Sequence, residues 1–156
     1  MLNEKQIHEI EDALEKVELT EDTLPFFLYI FETCNEPFIT NILAYKFEDL
    51  KDDRVIPYLI KHLQNIKTYM YRGNVLSALR EFDYRPYADL LINLFATGNY
   101  EVSIKAASML LDIKDQLTSK QKEALEKLIK ERTEILNDSI EYFTDVSTDL
   151  DLNMEL

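Results

Sequence analysis

The feature that most constrains this chain is an internal repeat: shifted by 31 residues, two consecutive apolar patterns fall back on themselves. Leu59, Ile60 and Leu63 land on Leu90, Leu91 and Leu94, and His62 lands on Asn93. Val75, Leu79 and Phe82 then land on Ala106, Leu110 and Ile113 at the same offset. A weaker copy lies upstream, where Phe27, Leu28 and Phe31 precede Leu59, Ile60 and Leu63 by 32 residues, and Ile42 and Ala44 precede Leu76 and Ala78 by 34. Apolar residues at steps of three and four make an amphipathic helix, and a unit of two such helices buries its apolar face against the next unit.

The same spacing extends to both sides and predicts about eight helices. Ile7, Ile10, Leu14 and Val17 mark the first, with Glu9, Glu11, Asp12, Glu15 and Glu18 on its other faces. Thr20 is the expected cap of a second, with Glu21, Asp22 and Thr23 leading into Leu24, Phe27, Leu28 and Phe31. A third opens at Pro37 and carries Phe38, Ile42, Tyr45 and Phe47, and a fourth is capped by Asp52 and Asp53 ahead of Val55, Leu59, Ile60 and Leu63. The fifth, sixth and seventh centre on Leu76, Leu91 and Met109, and Ser119 is the expected cap of an eighth through Leu125, Leu128, Ile129, Arg132 and Leu136. Pro25, Pro37, Pro57 and Pro86 sit where helical patterns begin, which is where a missing N–H costs least. No stretch alternates with period two over enough residues to be a strand.

At Asp52 to Leu63 (DDRVIPYLIKHL) and Tyr100 to Ile113 (YEVSIKAASMLLDI) the chain resembles the HEAT-repeat family. The resemblance covers roughly residues 24–113. It implies an all-α fold, a short right-handed α-solenoid of antiparallel helix pairs, in which each pair meets its neighbours and terminal helices present polar outer faces. The expected organisation is one helical domain over residues 1–137 and an acidic C-terminal segment over 138–156, a helical extension or partly flexible tail.

Charge separates the ends from the middle. The total is −13, from 17 Lys and Arg against 30 Asp and Glu. Residues 1–53 carry net −10, residues 54–105 net +3 and residues 106–156 net −6, with no basic residue after Arg132. Such a field repels phosphate backbones and anionic membranes and speeds encounter with a basic protein, within a Debye length of about 8 Å at physiological salt. The hydrophobic content of 46% fits a folded chain, and no apolar run approaches the roughly 20 residues that span a bilayer. One cysteine, Cys34, and a polar, acidic opening from Met1 to Lys5 lead to the expectation of a cytoplasmic protein.

Chemistry is scarce. Gly73 and Gly98 are the two glycines, too few for a Walker loop or a GxGxxG turn. His8 and His62 lie far apart with no HExxH or Cys/His cluster, so both read as helix-surface residues and neither metal nor cofactor is expected. Cys34 reads as filling apolar space at a helix end. The expectation is therefore a non-catalytic binding module.

Two features are candidate partner-binding surfaces. Tyr69, Tyr71 and Arg72, with Tyr84, Arg85 and Tyr87 at a later inter-helix turn, are of the residue types that anchor interfaces, although tyrosines also pack between helices with their hydroxyls at the rim. Asp138, Glu141, Asp145, Asp149 and Asp151 alternate with apolar residues in a way that suits a basic, partly hydrophobic protein. Small size, acidity and absence of chemistry together point first to an immunity or antitoxin-type inhibitor of a basic partner such as a nuclease toxin, monomeric when free. A HEAT-like adaptor in a protein complex is the alternative. A HEAT-like DNA glycosylase or nucleic-acid binder ranks behind both, because Arg54, Lys61, Lys67, Arg72, Arg80, Arg85 and Lys105 form no dense basic cluster and the flanks oppose phosphate.

Overall fold

The computed structural model describes residues 3–34 and 36–149, with side chains described at residue 3, over 5–34 and over 36–137. Among the described residues the secondary structure is helical throughout, with eight α-helices and no strand. These are α1 (Glu4–Lys16), α2 (Leu24–Thr33), α3 (Pro37–Leu50), α4 (Ile56–Gln64), α5 (Arg72–Arg80), α6 (Ala88–Thr97), α7 (Tyr100–Asp112) and α8 (Ser119–Asp149). Short 3-10 turns at Asp53–Val55, Ile66–Tyr71, Arg85–Tyr87 and Lys114–Gln116 join several of them. No helix among the described residues is long and apolar enough to cross a membrane.

Local chemistry sets the boundaries. Asn3 and Gln6 form a reciprocal capping box at the start of α1, with hydrogen bonds of 2.9 and 3.0 Å. Pro25, Pro37 and Pro57 occupy the first turns of α2, α3 and α4. The Asp52 carboxylate accepts the Arg54 N–H at 2.9 Å and so caps the 3-10 turn Asp53–Val55 that leads into α4, while α4 itself starts after Val55 with no side-chain cap. Two expected caps shift. Thr20 stands a turn before α2, exchanging hydrogen bonds with Thr23, which holds the cap position while its hydroxyl donates to the Glu18 carbonyl. Ser119 is the first residue of α8, and the cap is Thr118, paired reciprocally with Gln121. At α8 the Thr118 hydroxyl accepts the Gln121 N–H at 3.3 Å, whereas at α2 the Thr23 hydroxyl is turned back onto Thr20 and Glu18 and caps no N–H of the helix.

The chain divides into two compact units, Met1–Gln116 and Leu117–Leu156, and α8 runs on past Asn137. In the first unit α2 packs on α3, α4 on α5, and α6 on α7. A second set of contacts skips one helix: α1 on α3, α3 on α5, α5 on α7, and α2 on α4. Leu24, Phe27, Ile39, Leu43, Phe47, Leu59, Leu63, Leu76, Leu79, Leu91, Leu94 and Met109 are fully buried between these helices. Phe31 meets Phe47 edge to face at 5.3 Å. The buried face of α3 is Ile39, Thr40, Leu43, Ala44 and Phe47, while Phe38 and Tyr45 point out to solvent, so the sequence reading set this helix about a third of a turn out of phase. The second unit holds α8, whose Ile129, Ile135 and Leu136 are exposed and whose surface carries the Lys127–Glu131 and Lys130–Glu134 pairs.

Candidate binding groove

The link between α4 and α5 is where the first unit departs from a plain turn. Asn65 ends α4 and its side chain accepts the Lys67 N–H at 3.0 Å, opening the 3-10 segment Ile66–Tyr71. The buried Thr68 hydroxyl lies 2.6 Å from the His62 carbonyl and 2.7 Å from the Asn65 carbonyl, and so ties the segment back onto the end of α4. That tether turns Ile66 and Met70 outward, where they are 77% and 67% exposed, and leaves Tyr69 half-buried. Arg72 begins α5 and is buried, with Nη2 donating to the Asn65 carbonyl at 2.8 Å and the guanidinium carbon 5.7 Å from the centre of the Tyr69 ring.

Between the end of α4, this segment and α6 lies a groove of about 520 Å³. Its apolar lining is Leu63, Ile66, Leu90 and Leu94; Tyr69 and Arg72 close one side, and Gln64, Asp89, Asn93 and Thr97 supply polar groups. A volume of that order is what ligand sites of roughly 300–1,000 Å³ use.

The electrostatics of the groove are unusual for this acidic chain. Arg54, Arg80 and Arg85 each sit against a carboxylate, those of Asp52, Asp112 and Asp83. Arg72, the one of these four that is buried, donates instead to a backbone carbonyl, and its Nε is buried without a partner among the described residues. Burial holds its guanidinium below the ordinary arginine value. The same burial, and then the Arg72 charge, push neighbouring His62 down to about 4, and His62 Nε2 is likewise buried without a partner among the described residues. His62 is thus an interior residue and not the helix-surface residue its spacing predicts, because α4 turns that position toward Phe31. His8 does lie on the surface, 2.8 Å from Glu11.

Of the residues singled out from sequence, Tyr69 and Arg72 meet in this groove. Tyr71, Tyr84, Arg85 and Tyr87 lie outside its lining. Tyr84 is half-buried with its hydroxyl 3.5 Å from both Asp112 and the Met109 carbonyl, and burial raises it above the usual tyrosine range. Arg85 is exposed and bound to Asp83, whose carboxyl that hydrogen bond holds below its usual range. The side chains of Asp138, Glu141, Asp145 and Asp149, and Asp151 as a whole, lie outside the described residues. Ile66, Asp89 and Asn93 are groove residues the sequence reading missed. A signal was present: Asn93 stands 31 residues after His62, so both repeats break their apolar face at the same position.

Cys34 caps the end of α2, half-buried, and borders a smaller cavity of about 50 Å³ with Phe31, Tyr58 and His62. Among the described residues no group of three or more His, Cys, Asp or Glu side chains is placed to hold a metal ion. No protein-family model, curated protein or solved structure matches the chain.

Proposed function

We propose that this chain is a non-catalytic, HEAT-like protein-binding module, a right-handed solenoid of antiparallel helix pairs that acts as an immunity or antitoxin-type inhibitor of a basic partner. The observation that carries the binding reading is the α4–α5 link, where Ile66 and Met70 stand exposed and Ile66 lines a groove of about 520 Å³. Exposed apolar side chains grouped beside a concavity with a few placed polar groups are what a partner covers. The skip-one contacts of α1, α3, α5 and α7, together with the neighbour contacts α2–α3, α4–α5 and α6–α7, support stacked helix pairs.

The inhibitor reading rests on charge. A net −13, concentrated in residues 1–53 and 106–156, draws a basic protein and opposes nucleic acid and anionic membranes. Free protein is then a cytoplasmic monomer that covers the working surface of its partner, with Tyr69 and Arg72 in the contact. The test is capture of partners from source-cell lysate followed by titration of the recovered protein's own activity. A basic protein bound one to one, weakened by salt and silenced at equimolar addition, supports the inhibitor reading. A bound partner that keeps its activity makes the module an adaptor, and binding to duplex DNA at physiological salt in place of any protein would sink both.

A further inference from the structure

We propose that the groove between α4, the Ile66–Tyr71 segment and α6 receives the carboxylate of an acidic residue in the partner protein, with Arg72 as its counter-charge and Ile66 and Leu90 as the apolar flank. This rests on the protein-binding reading above and specifies what that surface recognises.

The first argument is an unbalanced charge. A cation withdrawn from water is costly unless it is paired, and folded chains pair their buried arginines accordingly. Arg54, Arg80 and Arg85 obey this with carboxylates of their own chain even though all three are exposed. Arg72 is only 5% exposed, yet its hydrogen bond goes to a neutral carbonyl and its Nε has no partner among the described residues. It also lines an open groove large enough to admit a ligand. An anion entering there supplies the missing charge.

The second argument identifies the anion. The guanidinium fork matches the planar carboxylate as well as it matches phosphate, so geometry alone does not choose. Asp89 lines the same groove, and a phosphate group carrying close to two charges at neutral pH meets more repulsion from it than a singly charged carboxylate does. Gln64 and Asn93 offer amide groups to the backbone on either side of that carboxylate, and the Thr97 hydroxyl, 3.0 Å from Asn93 Oδ1, holds the Asn93 side chain. Ile66, 77% exposed, and Leu90 point to a chain rather than a small acid, since an isolated carboxylate leaves both bare. The groove also falls within residues 54–105, the net-positive part of the sequence. A single acidic side chain on an otherwise basic partner fixes register in this way, by a favourable pair that is met at one place only.

The full chain titrated by NMR with three probes tests this: a blocked pentapeptide with glutamate between two leucines, its glutamine counterpart, and inorganic phosphate. The readouts are the Arg72 Nε–H and Tyr69 ring resonances. The glutamate peptide is expected to half-saturate at a concentration at least ten-fold below those of the other two. Arg72→Met is expected to erase that preference, and Asp89→Asn, an exposed rim change that stands in if Arg72→Met does not fold, to strengthen glutamate binding several-fold at low salt. Equal binding of the two peptides, tighter binding of phosphate, or a preference that survives Arg72→Met or is unmoved by Asp89→Asn overturns the proposal. The two readings fail separately: a glutamate preference with no protein ever captured keeps the groove and removes the protein-binding function, whereas a captured partner with no glutamate preference does the reverse.

Discussion

The imidazole of His62 packs 5.1 Å from the ring of Phe31, tilted 38° to it, and its Nε2 is buried with no hydrogen-bond partner among the described residues. A neutral ring suits that position and a charged one does not, and burial followed by the Arg72 charge sets the folded value at about 4, against 6.5 for a free histidine. A depressed folded value means that the unfolded chain takes up the proton first as pH falls. The contribution to stability is then complete above pH 6.5 and is lost between 6.5 and about 4. Over that window the loss is on the order of 2–3 kcal/mol. His62→Leu is expected to flatten this part of the profile, measured as urea unfolding free energies of both proteins at pH 7 and pH 4.5. An identical fall in the two proteins would show that other groups carry the acid sensitivity.

Arg72 gives a prediction of the less usual sign. Replacement by methionine removes one hydrogen bond, about 1 kcal/mol, and a ring contact of about 0.5–1 kcal/mol. The Asn65 carbonyl is not stranded, because the Thr68 hydroxyl lies 2.7 Å from it. Against these losses stands relief of an uncompensated buried cation, which costs several kcal/mol. Arg72→Met is therefore expected to raise stability by about 1 kcal/mol, read from the urea midpoint. A drop larger than that would make Arg72 a structural tie rather than a group held ready for a ligand.

The two faces of α3 separate cleanly. Phe47 is fully buried against Phe31, so Phe47→Ala is expected to cost about 3–5 kcal/mol. Phe38 is 62% exposed, and Phe38→Ala is expected to stay within about 0.5 kcal/mol of the parent. Thermal unfolding of the pair decides which face is inside, and equal losses would mean the helix is rotated from its position here.

That helix also shows how far the sequence could be read. All eight helices are legible because Gly, Pro and cap residues bracket apolar runs, and the 31-residue repeat picks out positions that are buried in both copies, such as Val75 with Ala106 and Leu79 with Leu110. The phase of α3 is not legible, since Phe38, Ile39, Ile42, Leu43, Tyr45 and Phe47 are apolar on nearly every face and only the neighbours α1, α2 and α5 choose among them. The groove is half legible. Tyr69 and Arg72 stand out by type, but their meeting with Asp89 and Asn93 depends on the 3-10 path of Ile66–Tyr71, which the buried Thr68 hydroxyl sets and no periodicity reveals.

The two glycines should answer alanine in opposite ways. At Gly73 an added methyl group would overlap the carboxylate of Glu101, the mobile end of a side chain that is 57% exposed and paired with Lys105. That end swings away at the cost of an exposed pair worth about 0.3–0.5 kcal/mol, while alanine in a helix gains about 0.5–1 kcal/mol over glycine. Gly73→Ala is expected to be neutral or slightly stabilising. At Gly98 the backbone angles, φ −67° and ψ 161°, are open to any residue, so conformational freedom is not what holds glycine there. The obstacle is steric: the methyl group would lie 2.5 Å from the Leu94 carbonyl oxygen and 2.7 Å from a methyl of buried Val102. Neither neighbour can move without shifting α6 or α7, the most extensively packed pair in the unit. Gly98→Ala is expected to cost about 1–3 kcal/mol in urea unfolding. If Gly98→Ala proved as harmless as Gly73→Ala, the tight approach of α7 to the end of α6 would be wrong.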